Sequence, residues 1–100
     1  MDKLQIEWGN LDRTEAIESD VFAKAEKILN FAPTATNLIV RFQVINPKTS
    51  AGPSTQKVYM ELRLPQNRDV RCEKEGQDLY RSIKDTEQAL LTQLEAKKSR

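Results

Sequence analysis

Lys24 and Lys27 stand three residues apart in a stretch of helical periodicity, and Arg81 and Lys84 repeat that spacing near the other end of the chain. Residues three apart on a helix sit on adjacent turns of one flank, so each pair offers two neighbouring cations. Arg68, Arg71 and Lys74 precede the second pair, and Lys97 and Lys98 follow it near the chain end. Cations in such rows can track a phosphate backbone by charge alone, without reading sequence. Asp20, Asp69, Glu73 and Asp85 interleave with them, so the same residues also read as ordinary surface ion pairs.

Other chemistry is short of parts. Histidine is absent, which removes imidazole acid–base catalysis and every His-containing metal site. A single cysteine, Cys72, gives no disulfide framework and no zinc site, and fits a reducing compartment. Cys72 alternates with outward positions on a strand and reads as a small core residue, not a nucleophile. The carboxylates fall at solvent-facing positions, and no two of them are expected to be buried together. Gly9 and Gly76 are isolated, so no glycine-rich phosphate cradle exists. The expectation is a protein with no catalytic residues, cofactor, metal or small-molecule substrate.

Charge narrows the range of partners. Sixteen basic and fifteen acidic residues leave +1, with −1 in residues 1–50 and +2 in residues 51–100. A polyanion must therefore meet a local patch, because the whole molecule has no strongly positive field. No apolar run approaches the roughly 18 residues that span a bilayer, and the first residues lack a signal-peptide pattern. A cytoplasmic protein without a membrane partner is expected.

Periodicity supplies the elements that must hold these bases. Residues 3–8 alternate, with Leu4, Ile6 and Trp8 on one side, and predict a half-buried strand. A helix is expected over residues 14–29, capped by Thr14 and closed by Asn30 in a left-handed conformation before Pro33. Its stripe is Ile17, Val21, Ala25 and Ile28, widened by Phe22 and Leu29. Strands follow at 37–45, 56–64 and 69–74, with a flexible hairpin loop at 46–55 and a turn at 65–68. The last helix spans 77–96, with Leu79, Ile83, Thr86, Leu90 and Leu94 as its stripe and Tyr80, Ala89 and Leu91 beside it. The order β-α-β-β-β-α predicts one α+β domain over residues 1–100. Its four-stranded, mostly antiparallel sheet carries both helices on one face and leaves the other wet. Tyr59 is the lone aromatic expected on that wet face, too few for a sheet that reads single-stranded RNA. All four paired bases lie outside the apolar stripes, so reversing their charge is expected to leave stability unchanged.

The spacing Thr14-x-Ala16-Ile17 leading to Lys24-x-x-Lys27 carries a resemblance, as do Asp78-Leu79-Tyr80-x-x-Ile83 and Leu90-x-x-Gln93-Leu94. With the element order, these resemble the short form of the ribosome hibernation-promoting factor and ribosome-associated inhibitor family over essentially the whole chain. The resemblance implies a binding module on the small ribosomal subunit, occupying the channel used by messenger and transfer RNA. It would silence translation under stress or in stationary phase. It implies ribosomal RNA contacts through bases on the two helices, here Lys24, Lys27, Arg81 and Lys84, with Arg71, Lys74, Lys97 and Lys98 in support. Short forms lack the dimerisation domain of the long ones, so a monomer is expected. The chain departs from the family pattern at Ala89 and Thr92, where bases are usual, and at Glu18 and Glu95. The alternative is a protein-interaction module on the same scaffold that does not bind ribosomes.

Overall fold

Leu4 and Ile6 point the same way because a strand has a period of two. A computed structural model describes residues 2–45 and 54–98, apart from the Lys98 side chain, and places β1 at Leu4–Glu7. It pairs in parallel with β2 (Asn37–Ile45), Leu4 opposite Leu38 and Ile6 opposite Val40. β2 pairs antiparallel with β3 (Thr55–Arg63), and β3 antiparallel with β4 (Val70–Gly76). The sheet order is β1-β2-β3-β4 within the chain order β-α-β-β-β-α, the α+β fold expected. Of the loop expected at 46–55, Thr55 opens β3, and residues 46–53 lie outside the described residues.

The chain leaves β1 without leaving the sheet. Gly9 takes φ +59°, and a Cβ there would lie 2.5 Å from the Phe42 carbonyl oxygen, so only glycine fits this approach to β2. Asn10 then uses its side chain as a surrogate strand. Its Nδ2 donates to the Val44 carbonyl at 2.9 Å, and its Oδ1 accepts from the Val44 amide at 2.8 Å.

Helix α1 (Glu15–Phe31) is capped by Thr14, whose hydroxyl accepts from the Ile17 amide at 3.2 Å. Its end differs from expectation. Asn30 is helical, and closure falls to Ala32, at φ −126°, whose amide donates to the Ile28 carbonyl at 2.9 Å. Pro33 stops the helix, and no left-handed residue is used. Helix α2 (Leu79–Lys98) begins two residues later than expected, because Asp78 is its cap. The Arg81 amide donates to Asp78 Oδ1 at 3.3 Å, and the Ser82 amide to the Asp78 carbonyl at 3.0 Å. At the β3–β4 turn, Gln66 and Asn67 both take positive φ, at 65° and 56°.

One buried cluster joins Val21 and Ile28 of α1, Val40 and Met60 of the sheet, and Ile83 and Leu90 of α2, so both helices cover the same face. Burying each of these side chains stabilises the fold by roughly 1.5–3 kcal/mol. Trp8 stacks on Phe42 with ring centroids 5.4 Å apart. Two positions depart from expectation. Phe22 does not widen the buried stripe, since it is 42% exposed. Ile39, on the face expected to be wet, is only 5% exposed. It lies in register between Gln5 and Glu61, whose side chains share its face.

Candidate nucleic-acid interface

The two helices carry their paired bases to a common seam, and acids meet them there. Lys24 Nζ donates to Asp20 Oδ1 at 3.1 Å, one turn back on α1. Lys27 Nζ crosses to α2 and stands 4.0 Å from Glu87 Oε1. Glu87 is only 3% exposed, and its Oε2, like Asp20 Oδ2, is buried with no hydrogen-bond partner among the described residues. This corrects the expectation that the carboxylates all face solvent. The signal was available: Glu87 is four residues from Ile83 and three from Leu90, on the edge of the apolar stripe.

Outside the seam lies a groove of about 610 Å³, lined by Asp20 and Lys24 from α1 and by Asp78, Tyr80, Arg81, Lys84, Asp85 and Gln88 from α2 and its cap. Arg81 and Lys84 are both exposed. The fold therefore places Lys24, Arg81 and Lys84 around one groove, with Lys27 at the seam beside Glu87. Lys97, near the C-terminus of α2, donates to the Arg68 carbonyl at 3.1 Å, and with Arg68 it borders a hollow of about 530 Å³ that includes Leu64 and Leu94. Lys98 is the last residue of α2.

The remaining two bases separate. Lys74 is exposed in register with buried Val58, on the helix-bearing side of the sheet. Arg71 lies opposite Glu61, on the other side. It cannot share a groove with the helix bases, because adjacent strand residues point to opposite faces.

The open sheet face is closely paired within itself. Arg41 bonds Glu7 Oε2 at 3.0 Å and lies 5.1 Å from the centroid of the Tyr59 ring. Tyr59 donates to Glu61 Oε1 at 2.5 Å, and Arg63 Nε donates to Glu61 Oε2 at 2.9 Å. The Tyr59 hydrogen bond, with Arg63 beside it, holds the Glu61 carboxyl below its ordinary range. The same bond, with burial, pushes the Tyr59 phenol up. The hydrogen bond from Arg41 to Glu7 raises the Arg41 guanidinium further. A hollow of about 650 Å³ on this face is lined by both signs of charge, including Glu7, Arg41, Lys57 and Glu73. Tyr59 is half-buried, with a guanidinium over its ring. Cys72 is buried, burial pushes its thiol up, and Gln93 Nε2 lies 2.9 Å from its sulfur.

A helix-bearing face with converging bases and a self-paired opposite face is the geometry to set beside known proteins. The sequence profile described as Sigma 54 modulation protein / S30EA ribosomal protein matches residues 4–100. The chain belongs to this family. Among solved structures, this S30EA-family chain is similar to a ribosomal subunit interface protein from Coxiella burnetii, with 20% identity and a TM-score of 0.79 over 97% of this chain and 98% of that one. It is also similar to the N-terminal domain of Thermus thermophilus Protein Y, with 24% identity and a TM-score of 0.67 over 91% and 93% of the two chains. At these identities the likeness is one of fold. A comparison with curated proteins gives no match. Among the described residues, no helix is long and apolar enough to cross a membrane.

Proposed function

We propose that this chain is a ribosome-associated binding protein of the cytoplasm, acting as a single monomeric domain and not as an enzyme. It seats its helix-bearing face in the RNA channel of the small ribosomal subunit and silences translation under stress or in stationary phase. The observation that carries this reading is the family match over residues 4–100, joined to the bases of two helices meeting at one seam. A rigid wedge held by phosphate contacts excludes messenger and transfer RNA simply by occupying their path. Phosphate contacts supply salt-dependent affinity, and the shape of the folded RNA selects the site. Lys27, Arg81 and Lys84 lead this contact because all three are exposed. Lys74, Lys97 and Lys98 extend it, and Arg71 faces away.

The acids at the seam limit its strength. Lys24 and Lys27 must exchange a carboxylate for a phosphate on binding, so each gains less than an unpaired lysine would. That pairing favours the second reading, in which the scaffold binds a protein through its other surfaces. Co-sedimentation with purified small subunits at about 50 mM salt separates the two. Pelleting with the subunits supports the ribosomal reading, and failure to pellet leaves the protein-binding one.

A further inference from the structure

Tyr80 is 48% exposed in the first turn of α2, on the same flank as Lys84 and beside the seam. It lines the groove that also holds three cations (Lys24, Arg81, Lys84) and three carboxylates (Asp20, Asp78, Asp85). These charges cancel. With acids offsetting the bases, charge alone would hold a phosphate here only weakly. What it offers instead is an aromatic face bordered by donors and acceptors, with Gln88 supplying both. An unpaired nucleobase wants that combination, a flat surface to stack on and polar groups at its edge.

Among the described residues Phe22 is the only other exposed ring, and Tyr59 is half-buried. Tyr59 lies beneath Arg41 and is bonded to Glu61. Phe22 is two positions from both Asp20 and Lys24, roughly half a turn around α1 from the groove. We propose that Tyr80 stacks a single unpaired RNA base in the groove between the helices. Asp85 and Gln88 meet the base edge, while the exposed Arg81 and Lys84 hold the flanking phosphates. This rests on the ribosomal reading above and adds to it a base contact that charge alone does not provide.

Stacking is insensitive to salt, whereas phosphate contacts are not, and that separates the two. The experiment is co-sedimentation with purified small subunits over a salt series, using the unsubstituted chain, Tyr80→Ala, Tyr80→Phe and Lys84→Gln. Tyr80→Ala is expected to bind roughly ten- to a hundred-fold more weakly at every salt concentration, with the salt slope unchanged. Tyr80→Phe keeps the ring and stays within about two-fold of the unsubstituted chain, while Lys84→Gln flattens the slope by up to about 0.7. A second arm needs no substitution: the unsubstituted chain should bind a short oligoadenylate more tightly than an abasic sugar-phosphate oligomer of equal charge. Unchanged binding by Tyr80→Ala, an equal loss in Tyr80→Phe, or equal binding of the two oligomers overturns the stacking proposal alone. An unsubstituted chain that fails to pellet at any salt overturns the ribosomal reading and the stacking with it.

Discussion

Lys27 and Glu87 balance one another across the seam, yet removing one is not equivalent to removing the other. Lys27 has 65% of its side chain exposed, so without Glu87 its ammonium remains hydrated. Glu87 has 3%, so without Lys27 its carboxylate stays buried with one oxygen already unpartnered. A buried charge that loses its counterion is costly, whereas a solvated one is not. Glu87→Gln should therefore leave stability equal or raise it by about 1 kcal/mol, and Lys27→Glu should lower it by at least about 1 kcal/mol. Urea midpoints of the two variants check this, and a greater loss from Glu87→Gln would show that the carboxylate is held by something other than Lys27. Lys27 is therefore the base at which charge reversal is predicted to depart from the expectation that all four spare stability. The helical placement of the bases was readable from sequence because residues three apart share one flank of a helix. Of their counterions, Asp20 was readable one turn before Lys24, and Glu87 was marked only by its place on the edge of the apolar stripe; that it faces Lys27 depends on how closely α1 packs beside α2.

On β3, Tyr59 and Glu61 make stability depend on pH at both ends of the scale. The Tyr59 hydrogen bond is the main cause of both shifts, lowering Glu61 and raising Tyr59. A lowered carboxyl contributes stability that is full above its unfolded pKa, about 4.3, and lost as pH falls through the folded value. A raised phenol contributes stability that is full below its unfolded pKa, about 10, and lost as pH rises through the folded value. Tyr59→Phe should remove the alkaline loss and weaken the acid one, leaving Arg63 to hold Glu61. Denaturant midpoints measured across pH test it, and an unchanged alkaline limb would place the alkaline loss elsewhere. On α2, Leu90 is fully buried, and Leu90→Ala should cost roughly 2–5 kcal/mol. A loss below about half a kcal/mol in a melting experiment would mean that α2 does not pack on the sheet through this stripe. Strands β1, β2 and β3 were readable because alternation marks a half-buried strand. The last two residues of β4, Glu75 and Gly76, were not, since Glu73, Lys74 and Glu75 place charge on both faces and the ladder to β3 carries the strand on to Gly76. The start of α2 was missed because Asp78 serves the helix as a cap and not as an ordinary surface acid.

Taken together, the two faces differ in what they leave available. The sheet face ties Arg41, Arg63 and Lys57 to Glu7, Glu61 and Glu73. The helix face keeps Arg81 and Lys84 exposed beside Tyr80. With a formal charge of +1, this division and not the overall field must direct any RNA to one side. Layer order was readable because it depends on element sequence and stripe periodicity, and the family because the motifs around Thr14, Lys24, Asp78 and Leu90 resemble its pattern. The placement of Arg71 away from the helices follows from alternation along β4, a rule that grouping bases by sequence proximity overlooked. The most direct test is co-sedimentation with purified small subunits between about 50 and 200 mM salt. It compares the unsubstituted chain, a Lys27→Gln, Lys84→Gln pair on the helix face and a Lys57→Gln, Arg71→Gln pair on the sheet face. The helix pair should lose affinity and flatten the slope of log affinity against log salt by about one unit or more, while the sheet pair should follow the unsubstituted chain. Equal loss from both pairs, or no loss from the helix pair, would contradict binding through the helix-bearing face.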